Sequence, residues 1–168
     1  MPVDSFKYLP RLIATFYQMM DRTPELPVPW TPLARPLSEC TLAWVTSAGL
    51  HHRSDPPFDL DRERREPTWG DPGFRTLPIP LPSEDLRVSH LHINPDPILQ
   101  DLNVVLPQDR MAELVESGRV GAFAPQAFSF MGYQGYPADT SGWESDSGPA
   151  VAARLQELGV DGVLLTPV

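Results

Sequence analysis

The chain has 168 residues, 41% hydrophobic and 21% charged, with a formal net charge of −9. This is a globular composition, long enough for one domain with a full core. The acidic balance disfavours a nucleic-acid backbone or an anionic membrane surface as main partner. The single cysteine, Cys40, rules out an intramolecular disulfide, so a reducing compartment, the cytoplasm, is expected. Residues 1–20 lack the basic start, long apolar centre and small-residue cleavage site of a secretory signal. No run of about 18 apolar residues marks a membrane span. Proline occurs 21 times, mostly before residue 108. Each proline fixes φ and removes a donor, which predicts long extended connections in the first two-thirds.

Residues 4–20 place Phe6, Leu9, Leu12, Ile13, Phe16, Tyr17 and Met20 on one helical stripe, with Asp4 or Ser5 as cap. The proline-punctuated stretch 23–37 is extended, and with the helix it makes an N-terminal arm, residues 1–38, ahead of a domain spanning 39–168. Leu42 to Val45 form the first strand, turning at Ser47-Ala48-Gly49. Residues 53–74 are a charged loop in which Arg62 to Glu66 reads as a solvated face. In "DLRVSHLHIN", Leu86, Val88, His90 and His92 alternate with Arg87, Ser89 and Leu91, which predicts a strand bearing both histidines on one side. A helix follows Pro107, with Met111, Leu114 and Val115 inward and Gly118 just past its end. Val120 to Phe123 begin another short strand. "FSFMGYQGY" is a glycine-rich aromatic turn. In "SDSGPAVAARLQELGVDGVLLTPV", Ser147 is expected to cap a helix that turns Val151, Ala152, Leu155 and Leu158 inward and stops at Gly159. The strand Val163–Leu165 comes last. Helices alternating with short apolar strands predict a three-layer α/β fold of Rossmann-like or flavodoxin-like type. Its open sheet is mostly parallel, and a proline-rich N-terminal extension precedes it.

Ligands of such sheets bind beyond the carboxyl ends of the strands. Three clusters are expected there: Ser47, Gly49 and His51; Ser89, His90 and His92; and Thr166 with the residues after it. Met131 and Gly132 lie in "FMGYQG", whose glycines allow close backbone approach to a ligand, with a plain tight turn as the alternative. The three imidazoles could hold a metal, but no carboxylate or thiolate stands beside them at a standard ligand spacing. Polar lining is the preferred role, with general acid–base work for one of them as the alternative. Cys40 opens the first strand at its amino end, away from these clusters, and reads as a small buried hydrophobe. No Walker loop, dinucleotide fingerprint or Ser-His-Asp order is present.

Taken together, "TLAWVTSAGLHHRSDPPFDL", "GDPGFRTLP", "VSHLHINPDPILQDLNVVLPQDRMAELVESGRVG", "FSFMGYQG" and "GPAVAARLQELGVDGVLLTPV" resemble, in order, the selenoprotein B family. The family comprises the B components of glycine, sarcosine and betaine reductases and the selenoprotein subunit of D-proline reductase. The resemblance spans roughly residues 26–168. It implies an oxidoreductase subunit that cleaves a C–N bond of an amino acid or related amine reductively. In the family, selenocysteine or cysteine follows the strand matching "GVDGVLLTPV" at once, with a second cysteine three places on. The selenolate or thiolate attacks the carbon bearing the amine.

The resemblance further implies a dithiol or thioredoxin-type electron donor, with no bound cofactor in this chain. Other reductase subunits are implied as partners, one of them pyruvoyl-containing in the glycine, sarcosine and betaine systems; a homo-oligomer is the alternative. His90 lies in the matching "VSH", where it would orient substrate or protonate the leaving amine. Asp101, Asn103, Asp109 and Arg110 also match, and read as caps and an ion pair beside the helix after Pro107. Because selenocysteine is encoded by UGA, Val168 is expected to precede that codon, making the sequence the amino-terminal part of a longer selenoprotein without its nucleophile. A boundary chosen by hand and a natural short form are the alternatives. A non-catalytic small-molecule-binding or assembly domain and a histidine-dependent metalloenzyme are the competing functions.

Overall fold

The computed structural model describes residues 10–19 and 31–168. The chain divides into two compact units, residues 1–32 and 33–168. In the first unit, α1 spans Arg11–Met19. Pro10 precedes it and accepts from the Ala14 amide at 2.9 Å, a position where a missing N–H costs nothing because first-turn donors have no helical acceptor. The expected caps Asp4 and Ser5, the stripe members Phe6, Leu9 and Met20 and the side chains of Ile13, Phe16 and Tyr17 lie outside the described residues. So does most of the proline-rich stretch.

The second unit is built on β1, Thr41–Thr46, all six of whose residues are apolar or β-branched. Along one edge β1 pairs in parallel with β7, Gly162–Thr166, over five residues from Leu42↔Gly162 to Thr46↔Thr166. Along the other it pairs in parallel with β5, Ala122–Phe123, and then with β6, Gln126–Phe130. Ala124 and Pro125 interrupt what would otherwise be one strand, as proline does when it cannot donate to the ladder. The far edge of β6 pairs antiparallel with β3, Phe74–Pro78.

Side chains alternate across this five-stranded sheet, and each face is covered. Trp44, Ala127 and Leu164 pack with Ile98 of α3, Asp96–Gln100, with Leu102 and Leu106, and with Met111 of α4, Gln108–Glu116. Val45, Phe128 and Phe130 turn the other way, onto Val151, Leu155 and Leu158 of α5, Gly148–Glu157. The fold is therefore the expected three-layer, mostly parallel α/β arrangement. Among the described residues no helix is long and apolar enough to cross a membrane.

Three local expectations change. The predicted histidine strand ends early: β4 is only Leu86–Val88, paired antiparallel with β2, Leu50–His52, in a separate ribbon. Gly49 leaves the ribbon to turn toward β1 after accepting from the Ser89 amide, so nothing remains for residues 90–94 to pair with, and His90 and His92 stand on a loop. Ser147 is not a cap. Its backbone is helical, inside a π turn at Trp143–Ser147 that runs into α5, and its hydroxyl donates to Pro72 O at 2.6 Å. Ala152 is exposed rather than inward. The polar cluster before α4 is structural: the Asn103 carboxamide accepts from the Asp109 amide at 3.1 Å and donates to both Asp101 and Asp109, while Arg110 pairs with Glu113.

Candidate functional site

Parallel pairing brings the carboxyl ends of β1, β6 and β7 to one edge of the sheet, and the chain leaves each there through a short polar or glycine-containing link. Ser47 follows β1; its amide donates to Thr166 O at 3.3 Å and its hydroxyl accepts from the Val168 amide at 2.9 Å. Thr166 ties β7 to the helical layer by donating from Oγ1 to Val105 O at 2.9 Å. Gly132 follows β6. A Cβ built on it would lie 2.8 Å from Val168 O, 3.0 Å from Ser47 O and 3.2 Å from His90 Nε2. Only a glycine lets three other segments close on one point. Of the residues singled out in the sequence, the structure thus gathers Ser47, His90, Gly132 and Thr166, with Val168 among them.

A cavity of about 520 Å³ opens beside this meeting point. Its walls are Val45, Phe130, Trp143, Leu165 and Pro167, and among the described residues no charged side chain lines it. Phe130 and Trp143 meet edge to face, with ring centroids 5.6 Å apart. The sequence reading missed these walls. Alternation along β6 marks Phe130 as one-sided, but nothing in "SGWES" announces that a π turn swings Trp143 over the end of the sheet.

His90 brings to this point a ring nitrogen that the fold leaves unengaged. Its Nδ1 accepts from the His92 amide at 3.1 Å, so in the neutral ring the proton sits on Nε2. That Nε2 is buried and has no hydrogen-bond partner, and it is the atom that faces Gly132. Burial, reinforced by the neighbouring His92, pushes the His90 pKa below the ordinary 6.5. At neutral pH the residue therefore presents an uncharged N–H donor.

The other predicted residues lie apart from this point. Gly49 and Met131 are buried beneath it: Gly49, at φ +65°, donates to Phe130 O at 2.9 Å, and Ala48 bridges to Met131. His51 and Ser89 form a closed pair. His51 Nδ1 donates to the His52 carbonyl, which leaves Nε2 to accept from the Ser89 hydroxyl at 2.9 Å. Both are buried, and desolvation pushes the His51 pKa down. His92 turns away toward Glu63, with Nε2 2.7 Å from Oε1. Glu63 corrects the expected solvated face of residues 62–66: its side chain is 2% exposed.

The imidazoles of His51, His90 and His92 thus answer to separate partners, and among the described residues no group of three or more His, Cys, Asp or Glu side chains is arranged to hold a metal ion. Cys40 is fully buried before β1, at the opposite end of the strand, with its thiol directed to Arg35 O and Pro36 O.

The depressed histidines make a prediction about acid stability. A buried base with a lowered folded pKa binds fewer protons folded than unfolded, so unfolding takes up protons and stability rises with pH. The contribution is complete above the unfolded value of 6.5 and is lost as pH falls through it toward the folded values. The melting temperature should hold steady above about pH 7 and decline below about 6.5. His51→Gln should shallow that decline. Calorimetry of both proteins across this range checks it, and an identical decline would assign the acid sensitivity to other groups.

Residues 14–168 match the family described as glycine/sarcosine/betaine reductase selenoprotein B. Among curated proteins, the chain is 37% identical over 140 residues to the D-proline reductase subunit gamma of Acetoanaerobium sticklandii, covering 83% of this chain and 53% of that protein. It is 29% identical over 151 residues to the glycine reductase complex component B subunit gamma of Carboxydothermus hydrogenoformans, covering 86% of this chain and 33% of that one. The chain thus spans about half the length of the first relative and a third of the second. No solved structure matches it.

Proposed function

Since the chain belongs to the glycine/sarcosine/betaine reductase selenoprotein B family, we propose that it forms the substrate-side portion of a reductase that cleaves a C–N bond of an amino acid or related amine. The observation that carries this reading is the convergence of Ser47, Gly132, His90 Nε2 and Val168 at the carboxyl ends of three parallel strands, beside an apolar cavity. In this reading the redox residue, a selenocysteine or cysteine, follows Val168. Its chalcogen attacks the carbon bearing the nitrogen, the C–N bond breaks, and the amine leaves. The carbon is then held on the chalcogen. The thiolate of the family's second cysteine attacks the chalcogen, the carbon departs with the bonding pair and takes a proton, and a dithiol reduces the chalcogen–sulfur bond that results. His90 serves as a neutral hydrogen-bond donor at that place. It holds the anionic chalcogen or an acceptor atom of the substrate, and its Nε2–H is better suited to orienting than to giving up a proton outright. The apolar walls receive the carbon body of the substrate and exclude water. Ser47 fixes the path of the chain at Val168. The relatives are named as subunits of D-proline reductase and of a glycine reductase complex, so further subunits complete the enzyme.

The test is an assay of C–N cleavage with dithiothreitol in the presence of the partner subunits, reading free amine from glycine, sarcosine and betaine and the ring-opened primary amine from D-proline. A chain carried past Val168 through the family's redox motif should turn over one of the four. Residues 1–168 alone should not, because their single thiol is enclosed at the wrong end of β1. Equal activity in both forms, or none in the carried-on form, would overturn the proposal.

A further inference from the structure

Glu63 is a costly residue to place where it stands. Its carboxylate is almost wholly enclosed on α2, Leu60–Arg65, with Oε1 bonded to His92 Nε2 at 2.7 Å and Oε2 buried without any partner. A buried carboxylate with half its acceptor capacity unmet is destabilising unless its one contact is worth keeping. The chemistry proposed above does not use it directly. What it does hold is the His92 ring, whose other face lies on Tyr133, centroids 4.1 Å apart. Tyr133 is itself tied to Pro67 O. His92 is thus clamped from two sides, although its side chain is 48% exposed.

The clamp matters because of what the His92 backbone does. Its amide is the donor to His90 Nδ1, and that bond decides which nitrogen of His90 carries the proton. His90 lies on a loop, with no strand to fix it. Without an anchor at His92 the ring would be free to turn and to exchange tautomers. The two rings sit edge to face at 6.0 Å, so movement of one is felt by the other.

We infer that Glu63, acting through His92, is the positioning residue for His90: the buried carboxylate holds the His92 ring, the His92 amide occupies His90 Nδ1, and the Nε2–H of His90 is thereby kept aimed at the point where Ser47, Gly132 and Val168 meet. Its bearing on catalysis rests on the function proposed above, but the positioning itself is a property of residues 63, 90 and 92 and is measured without turnover.

The experiment uses the full chain with ¹⁵N-labelled histidine at about pH 8, above the ordinary imidazole range. Two readouts are taken: the His90 ring nitrogen shifts, and hydrogen exchange at the His92 amide. The native chain should show a protonated Nε2, a bare Nδ1 and a protected His92 amide. Glu63→Leu removes the acceptor at similar volume and should speed exchange at the His92 amide by about tenfold, the expected cost of a hydrogen bond to a charged group, while moving the His90 nitrogens toward tautomer averaging. Glu63→Gln keeps an acceptor and should change exchange less than about threefold. His92→Phe keeps the ring on Tyr133 but cannot bond Glu63. It changes a half-exposed position, so it reports even if Glu63→Leu fails to fold, and it should behave as Glu63→Leu does. Unaltered exchange and nitrogen shifts in His92→Phe overturn the inference. If instead the spectra change as described while amine release survives loss of the His90 ring, the positioning stands and the proposed function is the part that fails.

Discussion

Replacing His90 with alanine is expected to lower amine release by the complete reductase by about two orders of magnitude, the usual effect of deleting one preorganised donor from a site. The reason is geometric. His90 Nε2 is buried, unpartnered and within 3.2 Å of where a Gly132 side chain would be, so among the described residues no protein group is bonded there to replace it. Folding should suffer little, because the ring packs on a loop and its one backbone bond, to the His92 amide, is near the surface. His90→Asn retains a donor on a shorter arm and should recover part of the loss. Since the lowered pKa keeps the ring neutral at ordinary pH, the deficit should not change between about pH 7 and pH 8. A deficit that disappears as pH rises would mean the residue acts as a charged acid instead.

The second large effect is on stability, at Gly49. Its φ is +65°, and a Cβ there would lie 2.3 Å from Ser89 O and 3.0 Å from Ser89 C, both main-chain atoms. Main chain cannot rotate aside as a side chain can. Gly49 also donates to Phe130 O and accepts from the Ser89 amide, each at 2.9 Å, so any shift pulls on β6 and on the segment that presents His90. Gly49→Ala should destabilise the chain by about 3 kcal/mol, combining the left-handed backbone cost with a core-level clash. For a domain of this size that lowers the melting temperature by about 10 °C. Gly118 supplies the control. Its φ is +68° but nothing lies within 4 Å of a Cβ, so Gly118→Ala should cost only the backbone part, about 1 kcal/mol. Equal melting temperatures for the two variants would show that the contact with Ser89 is not rigid.

Local patterns made some elements readable and left others hidden. β1 and β7 announce themselves as short apolar runs, and α4 and α5 by helical spacing with glycine beyond their ends; Gly118 and Gly159 do adopt positive φ. The meeting of Ser47, Gly132 and Thr166 followed from a general rule, that parallel strands deliver their carboxyl ends to one edge, whereas His90 reaches it from the loop after β4, which that rule does not place. The histidine strand failed because alternation of Leu86, Val88, His90 and His92 is necessary for a strand but not sufficient. Pairing also needs a partner, and β2 is only three residues long. Glu63 was hidden for a similar reason. "DRERRE" is a solvated face by composition, and the burial of one of its carboxylates depends on His92, 29 positions away. Trp143 escaped notice because its place depends on a π turn, for which no residue pattern is diagnostic.

In the function proposed above, the ledge made by Ser47, Gly132 and His90 serves a redox residue immediately after Val168. The most direct measurement is the pH dependence of iodoacetamide alkylation of that residue, as a cysteine, in a chain carried past Val168 by the family motif. The expected apparent pKa lies below the ordinary thiol value of about 8.5 and rises when His90 is replaced by alanine, because the anion loses its donor. An unshifted thiol, or one whose titration is the same with and without the His90 ring, would contradict it.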